Sequence, residues 1–166
     1  MTVRPAARLL ILFTLLGACR ATPPGPLEKR VAALVKRRIT VGGRDERNPL
    51  PDTPDNLARG RSAFASYCTA CHGLDGQATG VPFARAMSPP VPSLASPEVQ
   101  AYSDGQLRWI VENGLFPSGM PASRGLLSGE EMWRIVLFVR HLPPAGSLGD
   151  PPAYLHSPPG SPCAAR

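Results

Sequence analysis

An all-α domain over residues 53–145 is the fold class this sequence predicts, and three observations carry it. Three segments repeat apolar residues at spacings of three and four, the period of a helix buried along one face. Two of those segments open on reciprocal capping signals, Ser103 with Gln106 and Ser128 with Glu131. No segment alternates apolar and polar residues as a half-buried strand does.

Proline sets the borders of that domain. The 21 prolines cluster before the central segment, inside one of its loops and in the tail, so only the middle stretch can hold long helices. Residues 41–54 are rich in Gly, Pro, Asn and Asp and read as linker. From Pro143 onward prolines recur at 144, 151, 152, 158, 159 and 162, and the tail 146–166 reads as extended or disordered. There is no internal repeat.

The first helix of the domain is capped by Thr53 and begins at Pro54, a good first-turn residue. Leu57, Gly60, Phe64 and Tyr67 then mark its buried face. Gly60 costs helix stability, so its presence predicts close approach of another helix. The second helix runs from Ser103 to Asn113, turns Leu107, Ile110 and Val111 inward and stops at Gly114. The third begins after Ser128, with Leu127 and Met132 as its hydrophobic staple. Its stripe is Met132, Ile135, Val136 and Val139, widened by Trp133 and Leu137.

The N-terminus reads as a targeting segment. Arg4 and Arg8 precede a short apolar run, Leu9 to Leu16, which falls well below the roughly 20 residues of a spanning helix. Leu16-Gly17-Ala18-Cys19 resembles a bacterial lipoprotein signal. That resemblance implies a signal peptide over residues 1–18 and a lipid-modified Cys19. An uncleaved anchor and an ordinary secretory signal with an incidental cysteine stand beside it. Every one of these readings places the chain outside the cytoplasm, on the periplasmic side of a membrane.

The formal net charge of +6 belongs to one region. Residues 20–47 hold eight basic residues against three acidic ones, whereas residues 53–145 hold seven of each. The basic segment, 19–52, places Leu27, Val31, Leu34, Val35 and Ile39 at helical spacing. It is either a short amphipathic helix lying on anionic headgroups or a solvated spacer. It carries no nucleic-acid recognition motif, and an exported chain has no such partner.

Cys68-Thr69-Ala70-Cys71-His72 is the decisive motif, because C-x-x-C-H is the haem attachment signature. Cysteines three apart share one helical face. Their sulfurs can each form a thioether with a haem vinyl group, and His72 follows as proximal iron ligand. A redox disulfide of thioredoxin type needs a βαβ context, and here a helical pattern precedes Cys68. A zinc site needs four ligands, while Cys19 and Cys163 lie in the signal and the tail. Cys163 reads as an exposed thiol that binds nothing.

With the motif in its helical setting, residues 53–145 resemble a class I c-type cytochrome domain. The matching pieces are Gly60-x-x-x-Phe64-x-x-x-Cys68, then Cys68 to His72 with Gly73, then Gly119-Met120-Pro121, then the helix of Trp133. The last two pieces look most like the small cytochrome modules of bacterial oxidoreductases. The resemblance implies a cytochrome c fold of three main helices and loops wrapped around one covalent haem c. It makes Met120 the sixth ligand, with Gly119 allowing close backbone approach and Pro121 stiffening the loop. It also implies that the Pro92 carbonyl, in a Pro-x-Leu segment ending at Leu94, accepts a hydrogen bond from the His72 ring. Among the other candidates, Met132 belongs to a core stripe. Met87 sits in a Pro-rich loop at the haem edge or in solvent, His141 ends the last helix, and His156 lies in the tail.

The expected function is one-electron transfer to and from redox partner proteins. The chain is then an electron carrier or the electron-transfer subunit of a respiratory or dehydrogenase complex, and not itself an enzyme. The alternative is a haem-based small-ligand sensor, or a catalytic haem subunit, with a labile sixth ligand.

Overall fold

The computed structural model describes residues 25–35, 39–116 and 118–149. The chain divides into two units, Met1–Arg38 and Ile39–Arg166. The signal peptide, Cys19, His156 and Cys163 lie outside the described residues.

In the first unit, helix α1 spans Pro26–Val35, with proline at its first position and Glu28 in its first turn. Leu27, Val31, Leu34 and Val35, spaced as one helical face, are all exposed. None of the described helices is long and apolar enough to cross a membrane.

The second unit is all-α. Among the described residues there is no strand, only isolated bridges between Leu115 and Met120 and between Arg124 and Leu127. Helix α2, Pro54–Tyr67, starts where the Thr53 side chain accepts from the Asn56 N–H. A single turn, α3, follows at Thr69–His72, and a 3-10 helix at Pro82–Arg85. Ser96 caps a one-turn helix, α4, at Pro97–Gln100. Helices α5, Asp104–Asn113, and α6, Gly129–Arg140, both open on the reciprocal boxes read in the sequence and are held there on both sides.

Helix α6 is the centre of the packing, because α2 and α5 both lie against it. Its face of Met132, Ile135, Val136 and Val139 is buried with Phe64 and Leu107, and Leu127 joins the same cluster. The crossing of α2 on α6 depends on Gly60. A Cβ there would overlap the Arg134 carbonyl oxygen and stand 3.3 Å from the Phe138 Cβ. One turn on, the Phe64 and Phe138 rings meet at 5.1 Å between centroids, tilted by 53°.

Tyr67 departs from expectation. It is 54% exposed, while polar Asn56 is buried on α2 instead. Asn56 earns that position by bonding: its Nδ2 donates to the Pro51 carbonyl and its Oδ1 accepts from Arg134 Nε. Residues 41–50, expected as linker, pack on the helices. Val41 is buried, a Cβ on Gly42 would press on the Trp109 ring, and Asn48 Nδ2 donates to the Trp133 carbonyl at 3.0 Å. The glycines that suggested a linker are there because backbone touches helix. Arg140 ties the lower end of α6 to the start of α5, donating to Asp104, to Gln100 and to the Tyr102 carbonyl.

Candidate functional site

Cys68, Cys71 and His72 come together because α2 does not simply continue. Cys68 closes α2, with its N–H donating to the Phe64 carbonyl, and at the same time opens α3. The N–H groups of Cys71 and His72 both donate to the Cys68 carbonyl, at 3.2 and 3.0 Å. Gly73 ends the turn at φ +71, a left-handed conformation that favours glycine. The two thiols are free, not joined to each other. Burial pushes the Cys68 thiol up to about 12, with the neighbouring Cys71 adding to the rise, so Cys68 stays a neutral thiol.

Burial also lowers His72 to about 4, which keeps the imidazole neutral and its lone pair available to a metal. Its Nδ1 is buried with no hydrogen-bond partner. In a neutral imidazole one nitrogen carries the proton and the other a lone pair, and His72 spends neither on the rest of the chain through Nδ1. Two unjoined thiols one turn apart beside a neutral imidazole fit covalent haem. Among the described residues no three side chains of His, Cys, Asp or Glu gather as they would around a bare ion.

The hydrogen bond expected from the His72 ring to the Pro92 carbonyl is not formed at Nδ1, which has no partner. The reason lies in how that segment is fastened. Val91 N–H donates to the Ala84 carbonyl at 2.9 Å and Leu94 N–H to the Gly76 carbonyl at 2.8 Å, and Pro92 between them is exposed.

Met120 sits on the loop between α5 and α6. Gly114 caps α5, and its N–H donates to the Ile110 carbonyl. The loop folds back so that Leu115 N–H donates to the Met120 carbonyl at 3.1 Å. A Cβ on Gly114 would stand 2.5 Å from that same oxygen, so only glycine admits the return. Met120 is half-buried, and Phe116 on the same loop is 99% exposed. Met132 is buried in the core cluster, as its stripe indicated. His141 follows α6 and pairs with Asp52 at 3.1 Å.

Asp75 was missed by sequence reasoning. It is 0% exposed and accepts from Gln77 N–H at 2.9 Å, from the Thr79 hydroxyl at 2.5 Å and from Gly146 N–H at 2.7 Å. The Asp75-Gly76 pair signals the turn to Gln77, but nothing local points to Gly146, 71 residues away. With the Gln77 amide donating to the Pro143 carbonyl, Asp75 fastens the loop after His72 to the end of the domain. Burial pushes its carboxyl up, but the hydrogen bonds from Gly146, Thr79 and Gln77 outweigh this and hold it below the ordinary carboxylate value.

A lowered carboxylate contributes stability above its unfolded pKa and loses it as pH falls through its folded pKa. Asp75→Asn is therefore expected to cost about 1–3 kcal/mol at neutral pH, because an amide has a single acceptor oxygen and cannot serve Gln77 on one side and Thr79 and Gly146 on the other. The difference from wild type should fade in acid, where Asp75 protonates too. Denaturant unfolding across that pH range checks it, and a deficit unchanged in acid would count against the carboxylate's role.

Residues 55–139, just over half of the chain, match the family model described as cytochrome C oxidase, cbb3-type, subunit III. A quinohemoprotein alcohol dehydrogenase, ADH IIB, of Pseudomonas putida is 26% identical over 132 residues. The match covers 78% of this chain and 16% of that relative, so the chain spans a small part of the dehydrogenase's length.

Proposed function

This chain belongs to the family described as cytochrome C oxidase, cbb3-type, subunit III, a family of haem c domains, and from that premise we propose that it carries single electrons through one covalent haem. Electron transfer and haem c binding come with the family; the ligands, the count of haems and the cellular setting are our reading. Haem c, when bound, supplies one iron that takes up and returns a single electron. Cys68 and Cys71 would hold it covalently through their sulfurs. His72 presents the proximal nitrogen and Met120 the distal sulfur. A thioether is a weak donor that favours reduced iron, so Met120 raises the potential. With His72 and Met120 both engaged, the site would be suited to electron exchange.

The observation that carries this reading is the α2–α3 junction, where two free thiols and a neutral imidazole share one turn. The likeness to a quinohemoprotein alcohol dehydrogenase supports an electron-transfer role beside a dehydrogenase. The Met120 assignment has a direct test. Oxidised wild-type protein should show the weak near-infrared sulfur-to-iron band, and Met120→Ala should abolish it, lower the potential and open the reduced iron to carbon monoxide. Met132→Ala should keep the band while costing roughly 2–5 kcal/mol as a core truncation. A band that survives Met120→Ala would move the sixth ligand elsewhere.

Tethering at a membrane is part of the same proposal. The lipoprotein-like run ending at Cys19 would anchor the chain, and the exposed apolar face of α1 suits the surface of anionic lipid. Cys19→Ser is expected to remove lipid label and release the protein to the soluble fraction. Equal membrane retention without label in the wild type would point to an uncleaved or secretory signal.

A further inference from the structure

Met87 stands outside the ligand set proposed above, yet the structure places it against the ligand loop. It follows the 3-10 helix Pro82–Arg85 on a firmly held turn. Val81 and Ala84 are buried, Met87 N–H donates to the Phe83 carbonyl at 3.1 Å, and Val91 N–H donates to the Ala84 carbonyl at 2.9 Å. From that turn the half-buried Met87 side chain lies over the open side of Gly119, the residue before Met120. A Cβ built on Gly119 would stand 3.3 Å from the Met87 Cε, and among the described residues no other atom from beyond its chain neighbours comes within 4 Å. Gly119 has φ +79, so the loop passes Met87 in a conformation that favours glycine. On its other side the Met120 backbone is bonded to Leu115 and packed on Gly114.

Resting on the reading of Met120 as sixth ligand, we propose that Met87 is a positioning residue whose terminal methyl blocks the space into which Gly119 would swing as the Met120 sulfur leaves the iron. A methionine suits this task. It is unbranched and polarisable, and it fills an irregular gap without a fixed shape. On this reading the methyl resists the opening of the loop more than it holds the closed state. Removing it should therefore leave the sulfur bound at rest and speed its release.

The test uses the haem-loaded full chain and carbon monoxide, which can bind reduced iron only after Met120 leaves. Met87→Ala should keep the near-infrared band and bind carbon monoxide roughly tenfold faster than wild type, the rate change that about 1.4 kcal/mol of lost barrier produces. Met87→Leu, which restores the bulk without the sulfur, should return most of the wild-type slowness. Ile135→Val, a core truncation away from the loop, should lower stability without speeding carbon monoxide. Equal rates in wild type and Met87→Ala would overturn the proposal. Loss of the band in both Met87 variants would also overturn it, by making Met87 itself the ligand. A wild type without the band would remove the Met120 reading and this inference with it, an outcome distinct from unchanged rates. Should the alanine variant fail to accumulate, Met87→Val gives the same comparison.

Discussion

Replacing Cys68 and Cys71 together with alanine is expected to abolish covalent haem, leaving protein matured in a cytochrome c-competent host at the mass of the bare chain. No other pair of described cysteines exists to substitute for them. Each single replacement should retain one thioether, because either sulfur alone can still attach one vinyl group while His72 holds the iron. Intact mass after acid–acetone extraction distinguishes these cases. Haem that resists extraction in the double variant would exclude this turn as the attachment site.

Gly60→Ala is expected to destabilise the domain by roughly 2–4 kcal/mol, against the usual sign of that change in a helix. Alanine in place of glycine ordinarily adds about 0.8–1 kcal/mol to a helix. Here the added Cβ would overlap the Arg134 carbonyl oxygen, and backbone does not yield as a side-chain tip does. Relief requires α2 and α6 to separate, which also loosens the Phe64–Phe138 contact. Because α2 runs into the attachment turn, haem incorporation should fall as well. Thermal unfolding should register a drop of about 4–8 °C per kcal/mol for a domain of this size. A variant as stable as wild type, or more so, would mean that the two helices do not meet at Gly60.

What could be read from the sequence was what local chemistry decides. Thr53, Ser103 and Ser128 were legible as caps because each bonds an N–H three residues away. Gly60 was legible because a glycine inside a strong helix needs a reason, and the reason is α6. The turn that gathers Cys68, Cys71 and His72 was legible because the cysteine spacing follows the helical period. The features that escaped depend on residues far apart in the chain. Nothing local marks Asp75 for burial, which depends on Gly146 at the far end of the domain. Residues 41–50 looked like linker, since a glycine packed against Trp109 carries no local mark that separates it from a flexible one. The approach of Met87 Cε to the side-chain position of Gly119 brings together two loops that no periodicity describes. The hydrogen bond expected at Pro92 failed for a related reason: flanking backbone bonds at Val91 and Leu94, not the proline, decide where that carbonyl lies.

Electron carriage by an iron whose two axial positions are both held by protein is tested most directly by an optical redox titration of the haem-loaded wild type, run under argon and under carbon monoxide. The expected result is one reversible single-electron step with the near-infrared band in the oxidised form, and the same midpoint under both gases on the timescale of the titration. A reduced form that takes up carbon monoxide rapidly, with the midpoint displaced upward under that gas and no near-infrared band, would contradict electron carriage and favour a site built to bind small ligands.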